Sequence, residues 1–171
     1  MRQRANFACE YCGVTETDTA GQLTLDHFRA RAGGGSDALD NLLYCCHCCN
    51  EYKSDYWPQE PESPALWNPR QEAAAVHFVE LADGRLYATG PTGAFTLNHL
   101  RLNRPPLVAF RLRRRQSQEE QHLLTRLRDI GVLVEQLHRQ QTAFLEEHRA
   151  LLQEQLRVLK LLLDQQPPGH G

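Results

Sequence analysis

The chain has 171 residues, and 19 Lys plus Arg against 21 Asp plus Glu leave a formal net charge of −2. Hydrophobic residues make up 41% and charged residues 23%, which excludes collagen-like and disordered chains and predicts one domain, or one small domain with an extension. No stretch approaches the roughly 18 apolar residues of a membrane span, and the first residues lack the apolar segment of a signal peptide, so neither is expected.

Six cysteines lie in two groups near the start of the sequence: Cys9 and Cys12, then Cys45, Cys46, Cys48 and Cys49. Two CxxC pairs around the 33-residue interval between Cys12 and Cys46 favour a four-thiolate structural zinc site over a redox pair or disulfides. The second pair is ambiguous, because Cys45/Cys48 and Cys46/Cys49 both have the CxxC spacing. The interval exceeds the roughly 15–20 residues of a plain zinc ribbon, so we expect an insert that carries chemistry.

The insert between the cysteine pairs predicts two strands and a loop. Apolar and polar residues alternate from residue 23, which predicts a strand through Asp26 and His27. The three glycines of 33–35 then allow a backbone path that is closed to other residues. Residues 41–45 predict a returning strand, and we expect a helix from Asn50, which directly follows the last cysteine.

A proline-rich connector follows, with four prolines between residues 58 and 69, and predicts an extended link. Beyond it, two short strands are predicted at 77–81 and 85–89, joined at Asp83-Gly84 by a type I′ turn. A short helix is predicted at 96–103, stopped by the two prolines at 105 and 106. The stretch 58–106 is therefore expected to form a connector and a small α+β extension.

Residues 107–171 predict a long helical region. From residue 123 to 162 a seam advances in alternating steps of four and three residues, and nine of its twelve positions are apolar. This heptad-like seam predicts either a coiled coil that joins two copies of the chain or a helix that folds back on the extension. Gly131 lowers helix propensity, so one long helix and two helices broken at this residue both fit the pattern.

Six arginines and no acid lie within residues 101–115, a local charge of +6 in a nearly neutral chain. These residues are Arg101, Arg104, Arg111, Arg113, Arg114 and Arg115. Such a cluster fits a surface that contacts nucleic-acid phosphates, and it fits equally the solvated start of a helix.

Taken in order, the motifs resemble the HNH endonuclease family, the ββα-metal nucleases with zinc knuckles. The matching elements are Cys9-x-x-Cys12, Asp26-His27, the glycines at 33–35, Asp40-Asn41-Leu42, Cys46-x-x-Cys49-Asn50 and Lys53. In that family the second knuckle begins five residues after the middle asparagine, and this spacing from Asn41 selects the pair Cys46/Cys49. The resemblance implies a zinc-bound ββα core at residues 1–57.

The resemblance also implies a role for each site residue. His27 is expected to act as the general base that activates water, because an imidazole with a pKa near 6.5 accepts a proton at neutral pH. Asp26 and Asn50 are expected to hold a catalytic Mg²⁺ or Mn²⁺ through oxygen atoms, and Asn41 to position the glycine loop and His27. Lys53 and the six arginines are expected to contact nucleic acid, or in the case of Lys53 simply to face water.

We therefore expect an α+β protein that hydrolyses phosphodiester bonds in DNA; the sequence does not exclude RNA as the substrate. Zinc is expected to be structural, because four thiolates leave no open coordination position. A cytoplasmic location is expected, since zinc thiolates need reducing conditions. The alternative is a non-catalytic zinc module that binds DNA or another protein, which needs the cysteines but not Asp26, His27 or Asn50.

Overall fold

A computed structural model of the chain describes residues 1–164 and divides into two compact units. The first unit comprises Met1–Gln116, and the second begins at Ser117. Helices and small antiparallel strand pairs together confirm the predicted α+β class. Within the part of the chain that is described, no helix combines the length and apolar character that crossing a bilayer needs. The predicted domain boundaries at residues 57 and 106 stay predictions.

The core of the first unit is a β-hairpin followed by a helix. Strands β1 (Thr24–His27) and β2 (Leu42–Cys45) pair antiparallel, with Asp26 opposite Leu43 and His27 opposite Leu42. Helix α2 (His47–Lys53) leaves the end of β2 after a single residue, so strand and helix are rigidly joined. A one-turn helix α1 (Glu16–Thr19), closed by a capping box at Thr15, lies between the first cysteines and β1.

The predicted start of α2 was wrong. The helix begins at His47 with Cys46 at its N-cap, so Asn50 lies inside the helix and does not cap it. Neither Cys46 nor its neighbours give the side-chain capping signature that marks a helix start in sequence, and Cys46 makes no side-chain cap hydrogen bond. The consequence is that Asn50 and Lys53, three residues apart, share one helix face.

The extension forms a second hairpin flanked by two short helices. Helix α3 (Ala74–His77) leads directly into β3 (Phe78–Glu80), which pairs antiparallel with β4 (Leu86–Ala88). The predicted type I′ turn was wrong, because only Gly84 of the Asp83-Gly84 pair has a positive φ, +78°. Leu81 N–H donates to Arg85 O and Gly84 N–H donates to Leu81 O, which makes a three-residue loop with a glycine bulge.

Helix α4 (Pro91–His99) begins earlier than predicted and ends before the two prolines. Pro105 then opens helix α5 (Pro105–Asp164) instead of merely ending the preceding element. Both helices thus start at a proline, whose fixed φ and missing N–H suit the first helical position.

The buried core of the first unit joins the cysteine-bearing region to the extension. Leu43, Leu100 and Leu102 are fully buried, and Trp67 is 3% exposed. The Trp67 ring packs edge-to-face on Tyr11 at 6.2 Å and on Phe78 at 5.4 Å between centroids. Aromatic pairs in this geometry add stability beyond the area they bury. One continuous core therefore fixes the extension against the β1–β2 hairpin.

The C-terminal region is a single helix through Gly131, which settles the choice between one helix and two. In the second unit all twelve seam positions from residue 123 to 162 are exposed. The apolar ones expose between 47% (Val158) and 66% (Phe144) of their surface. Within the second unit, nothing that the structure describes covers this apolar stripe.

Replacing Gly93 with alanine is expected to destabilise the first unit. A Cβ at this buried position would lie 2.4 Å from the carbonyl oxygen of His77. Overpacking of this kind costs about 1–3 kcal/mol, more than the ~1 kcal/mol that alanine contributes inside a helix. Thermal unfolding would show a lowered Tm. Gly131→Ala is the matched control, because nothing lies within 4 Å of its Cβ; an equal loss from both variants would contradict this packing argument.

Candidate metal and nuclease site

Four cysteine side chains converge at one end of the β1–β2 hairpin. The sulfur atoms of Cys9, Cys12, Cys46 and Cys49 all lie within 4.8 Å of one another, and Cys12 Sγ is 3.7 Å from Cys46 Sγ. A tetrahedral zinc with Zn–S bonds of about 2.3 Å needs sulfur–sulfur distances of about 3.8 Å. The four thiols therefore fit a zinc ion.

Backbone hydrogen bonds shape the first cysteine pair. Cys9 N–H donates to Val14 O at 2.8 Å, and Gly13 N–H donates back to Cys9 O at 2.8 Å. Gly13 has a φ of +77°, which glycine adopts without strain and which lets the chain reverse directly after Cys12. Glu10 N–H donates to Tyr44 O at 2.9 Å, so this knuckle is tied to β2 and delivers its sulfurs to the second pair.

The structure decides between the two possible registers of the second pair. Cys46 and Cys49 face the first pair, whereas Cys45 is buried at the end of β2 and Cys48 is exposed on α2. Hydrogen bonds within the cluster lower the pKa of Cys46 and raise those of Cys12 and Cys49, so the clustered thiols share protons as a group. Burial raises the pKa of Cys45, so this thiol stays protonated among apolar neighbours.

Asp26 lies where β1 meets α2, and three groups surround its carboxylate. The backbone N–H of His27 donates to Asp26 Oδ1 at 2.8 Å, and Lys53 Nζ lies 3.1 Å from Asp26 Oδ2. The side-chain amide of Asn50 lies 3.2 Å from both carboxylate oxygens and donates through its nitrogen in the favoured orientation. Rotation of that amide by half a turn would bring its oxygen, in place of its nitrogen, next to the Asp26 carboxylate.

Lys53 corrects an expectation from the sequence. Its side chain is fully buried, and its ammonium group donates to Ser54 O at 3.1 Å besides its ion pair with Asp26. The predictions that Lys53 contacts a phosphate or faces water were therefore wrong. A lysine is almost never fully buried unless it is paired, and the carboxylate of Asp26 supplies that pairing.

His27 turns away from Asp26 and faces the glycine loop. Its Nε2 lies 2.7 Å from Asp37 Oδ1, and Arg31 holds both oxygens of the same carboxylate at 2.7–2.9 Å. The hydrogen bonds with His27 and then with Arg31 hold the pKa of Asp37 below its usual value. Asp37 was not singled out from the sequence, because an exposed acid in a loop carries no local pattern that distinguishes it.

Asn41 closes the loop that carries Asp37. Its Oδ1 accepts from Arg29 N–H at 2.8 Å, and its Nδ2 donates to Arg29 O at 3.1 Å and to Ser36 O at 2.7 Å. One amide thus ties the end of β1 to the far side of the loop. A Cβ on Gly35 would lie 1.8 Å from Arg29 O, so only glycine permits this close approach.

Two of the six arginines predicted to contact phosphate are engaged elsewhere. Arg111 is 3% exposed and donates to Gly84 O and Leu102 O, so its predicted contact with nucleic acid was wrong. Arg104 Nη2 lies 3.7 Å from Cys49 Sγ and 3.9 Å from Cys46 Sγ, which directs it at the zinc cluster and not outward.

The remaining four arginines lie nearer the surface. Arg101 stacks over the Tyr52 ring at 4.8 Å from its centroid, and Arg114 pairs with Glu80 at 2.7 Å. Arg115 donates to the carbonyl oxygen of Ala82, and Arg113 is exposed. The +6 cluster is therefore not one continuous phosphate-binding surface, because several of its charges hold the extension together.

Substituting single cysteines is expected to distinguish the cysteines that bind zinc from those that do not. Cys46→Ser should lose bound zinc and unfold the β1–β2 hairpin, because an incomplete thiolate set binds the ion weakly. Cys48→Ser should keep one zinc per chain, since its side chain is exposed. Zinc content by atomic emission and the circular-dichroism spectrum would check both. Retained zinc in Cys46→Ser together with zinc loss in Cys45→Ser would contradict the Cys46/Cys49 register.

One comparison with known proteins agrees with the arrangement of the four cysteines and the residues around Asp26. Residues 9–55 match the family model described as HNH endonuclease. No curated protein and no solved structure matches the chain. The matched segment begins at the first zinc-knuckle cysteine and ends just beyond α2, so it contains the cysteine cluster together with Asp26, His27, Asn41 and Asn50. Over residues 9–55, this chain is therefore similar to the HNH endonuclease family.

Proposed function

We propose that the protein is a metal-dependent endonuclease that hydrolyses phosphodiester bonds in DNA. The observation that carries the proposal is the contact of two oxygen-bearing side chains at the end of β1, next to His27 in the chain. The carboxylate of Asp26 lies 3.2 Å from the amide of Asn50, and His27 directly follows Asp26. Phosphodiester hydrolysis needs a metal electrophile and a base; Asp26 and Asn50 would hold the metal, and His27 supplies the base.

His27 is the proposed general base. An aspartate carboxyl is ionised at neutral pH, and hydrogen bonds with His27 and Arg31 lower the pKa of Asp37 further, so its carboxylate accepts and Nε2 of His27 donates. Nδ1 then carries the lone pair and takes the proton from the attacking water. Asn41 is the proposed positioning residue, since it holds the loop that carries Asp37 against the end of β1.

Asp26 and Asn50 are the proposed ligands of a catalytic Mg²⁺ or Mn²⁺. One carboxylate oxygen and one amide oxygen are the hard donors that these ions accept, with water and substrate phosphate completing the set. Their distance fits this role once the Asn50 amide presents its oxygen. A divalent cation bound there would stabilise negative charge on the phosphate and on the leaving oxygen. Zinc in the four-cysteine site has no open position and stays structural.

Phosphate contacts are proposed for arginines at or near the surface of the first unit. Arg101 and Arg113 remain from the predicted cluster, with Arg114 and Arg115 beside them. Arg29 is a further candidate that the sequence analysis did not single out; it stacks on Trp57 at 5.0 Å and lies two residues after His27. Such contacts position a nuclease on DNA or RNA without reading the base sequence.

A second candidate function is a non-catalytic zinc module that binds DNA or a protein. The observation that favours it is the ion pair of Asp26 with the buried Lys53, which satisfies the carboxylate without any metal. The six free thiols fit a reducing compartment in either case, and we propose the cytoplasm.

His27→Ala is expected to abolish cleavage of supercoiled plasmid while leaving zinc content and fold unchanged. Removing a general base typically costs about 10²–10⁴-fold in rate. The assay compares wild type, His27→Ala and His47→Ala with Mg²⁺, Mn²⁺ or EDTA; His47 is exposed on α2 and serves as the matched control. Undiminished cleavage by pure His27→Ala would sink the proposed mechanism, and DNA binding without cleavage by wild type would favour the zinc module.

We further propose that two copies of the chain associate through the α5 seam as a parallel coiled coil. In heptad terms the positions 123, 130, 137, 144, 151 and 158 are all apolar d positions. The three polar seam residues, Gln141, His148 and Gln155, all fall at a positions. A parallel, in-register pair places each polar residue against its own copy, whereas an antiparallel pair would place it against an apolar residue. The exposed apolar stripe is then covered.

Sedimentation equilibrium at tens of micromolar is expected to give twice the chain mass of 19.6 kDa for the wild type. Leu137→Glu should shift the mass toward the monomer, because it places charge at the centre of the seam. Gln136→Glu introduces the same charge change one position off the seam and should leave the dimer intact. A monomeric wild type under these conditions would end this part of the proposal.

A further inference from the structure

The most unusual charged group in the first unit is Lys53. Its ammonium group is fully buried at the last residue of α2, 3.1 Å from Asp26 Oδ2 and 3.1 Å from Ser54 O. The end of a helix favours a cation, but burial of a lysine costs several kcal/mol unless a carboxylate compensates it. The carboxylate that compensates it here is the one proposed to hold the catalytic metal.

The charge around the proposed metal site is therefore close to zero before any ion binds. Asp26 contributes one negative charge, Lys53 cancels it, and Asn50 is neutral. The other carboxylate near His27, that of Asp37, is engaged by Arg31 and by His27 itself. Among the described residues, the four cysteines form the one cluster with three or more metal-ligating side chains. In this part of the chain, Asp26 is therefore not part of a cluster of three or more such groups that would attract a cation.

A divalent ion that approaches Asp26 meets the positive charge of Lys53 at close range. Like charges about 5 Å apart repel appreciably even at the dielectric constant of water, and more strongly at a partly buried site. Asp26 has a side-chain exposure of 15%. Mg²⁺ commonly binds through one or two protein carboxylates together with substrate phosphate, so a phosphate oxygen is the ligand that would tip this balance.

We propose that Lys53 is a positioning residue that keeps Asp26 neutralised, so that the divalent metal binds tightly only together with a nucleic-acid phosphate. The inference rests on the proposed function of the same site and adds that the metal and DNA bind with coupled affinities. By thermodynamic linkage, the phosphate raises the affinity for the metal and the metal raises the affinity for the phosphate by the same factor. Metal bound without substrate therefore stays scarce.

A purely structural role for Lys53 predicts a different outcome. If the ion pair served only to stabilise the fold, its loss would leave a buried carboxylate unpaired and lower the stability. It would not tighten metal binding. A gain in metal affinity is therefore the result that separates the two roles.

The test measures Mn²⁺ binding to the zinc-loaded, full-length protein by electron paramagnetic resonance of the free ion, without DNA. Lys53→Met and Lys53→Gln should each bind Mn²⁺ at least about tenfold more tightly than wild type, because one repelling charge is gone. Lys160→Met, at the only other lysine of the chain, is exposed on α5 and should change nothing. Asp26→Asn added to Lys53→Met should remove the gain, which assigns the bound ion to this carboxylate.

A second arm keeps Lys53 in place. In a His27→Ala background, which leaves the substrate intact, a short DNA duplex should raise the Mn²⁺ affinity at least about tenfold, and Lys53→Met should reduce that increase. Equal Mn²⁺ affinity with and without duplex would overturn the proposal, even if the Lys53 variants failed to fold. Unchanged Mn²⁺ affinity in folded Lys53→Met would overturn it as well. If the Mn²⁺ results are as expected but the wild type does not cleave plasmid, the proposed nuclease activity is contradicted and the role of Lys53 in metal binding is not.

Discussion

The fold of the first unit depends on closure of the four-cysteine cluster. A ββα unit of about 50 residues buries too little apolar surface to hold itself together, and a structural metal supplies the missing free energy. Because Cys46 and Cys49 stand at the first turn of α2, the cluster also sets the rotation of that helix. Asn50 follows Cys49 directly, so the rotation that directs the sulfur inward determines where the amide points. The four-cysteine site and the proposed catalytic site thus both depend on the orientation of helix α2.

Charge compensation is the second theme of the site. Each carboxylate near the end of β1 already has a cationic partner, Lys53 for Asp26 and Arg31 for Asp37. The amide of Asn50 has two useful orientations, one that donates to Asp26 and one that offers its oxygen beside it. These groups are satisfied by hydrogen bonds in the free protein, and the Asn50 amide offers its oxygen after half a turn about its own side-chain bond. A site organised in this way is held in place before binding, which lowers the cost of assembling it.

The sequence predicted the elements that depend on short-range patterns. Alternation located β1, the run of strand-forming residues before the second cysteine group located β2, and the HNH resemblance selected the four thiols that meet in the cluster. It failed where the outcome depends on distant neighbours. Lys53 and Arg111 carry charge and were placed at the surface, but each meets a partner far along the chain that makes burial tolerable. The start of α2 was missed because Cys46 caps it without a capping side chain, and Asp37 because an exposed loop acid has no distinguishing local pattern. How α5 assembles stays a prediction.

The position of Arg104 determines how much of the chain a shortened protein must keep for the cysteine cluster to stay stable. Zinc with four thiolates carries two excess negative charges, and the Arg104 guanidinium lies against the sulfurs of Cys46 and Cys49 while it stacks on Tyr52. Hydrogen bonds of this kind to metal-bound sulfur stabilise the cluster from outside its ligand set. A core excised after residue 57 would lack this donor as well as the Trp67 ring that packs on Tyr11. The smallest portable module therefore extends to the first turn of α5, about twice the length that the cysteine motif alone marks out.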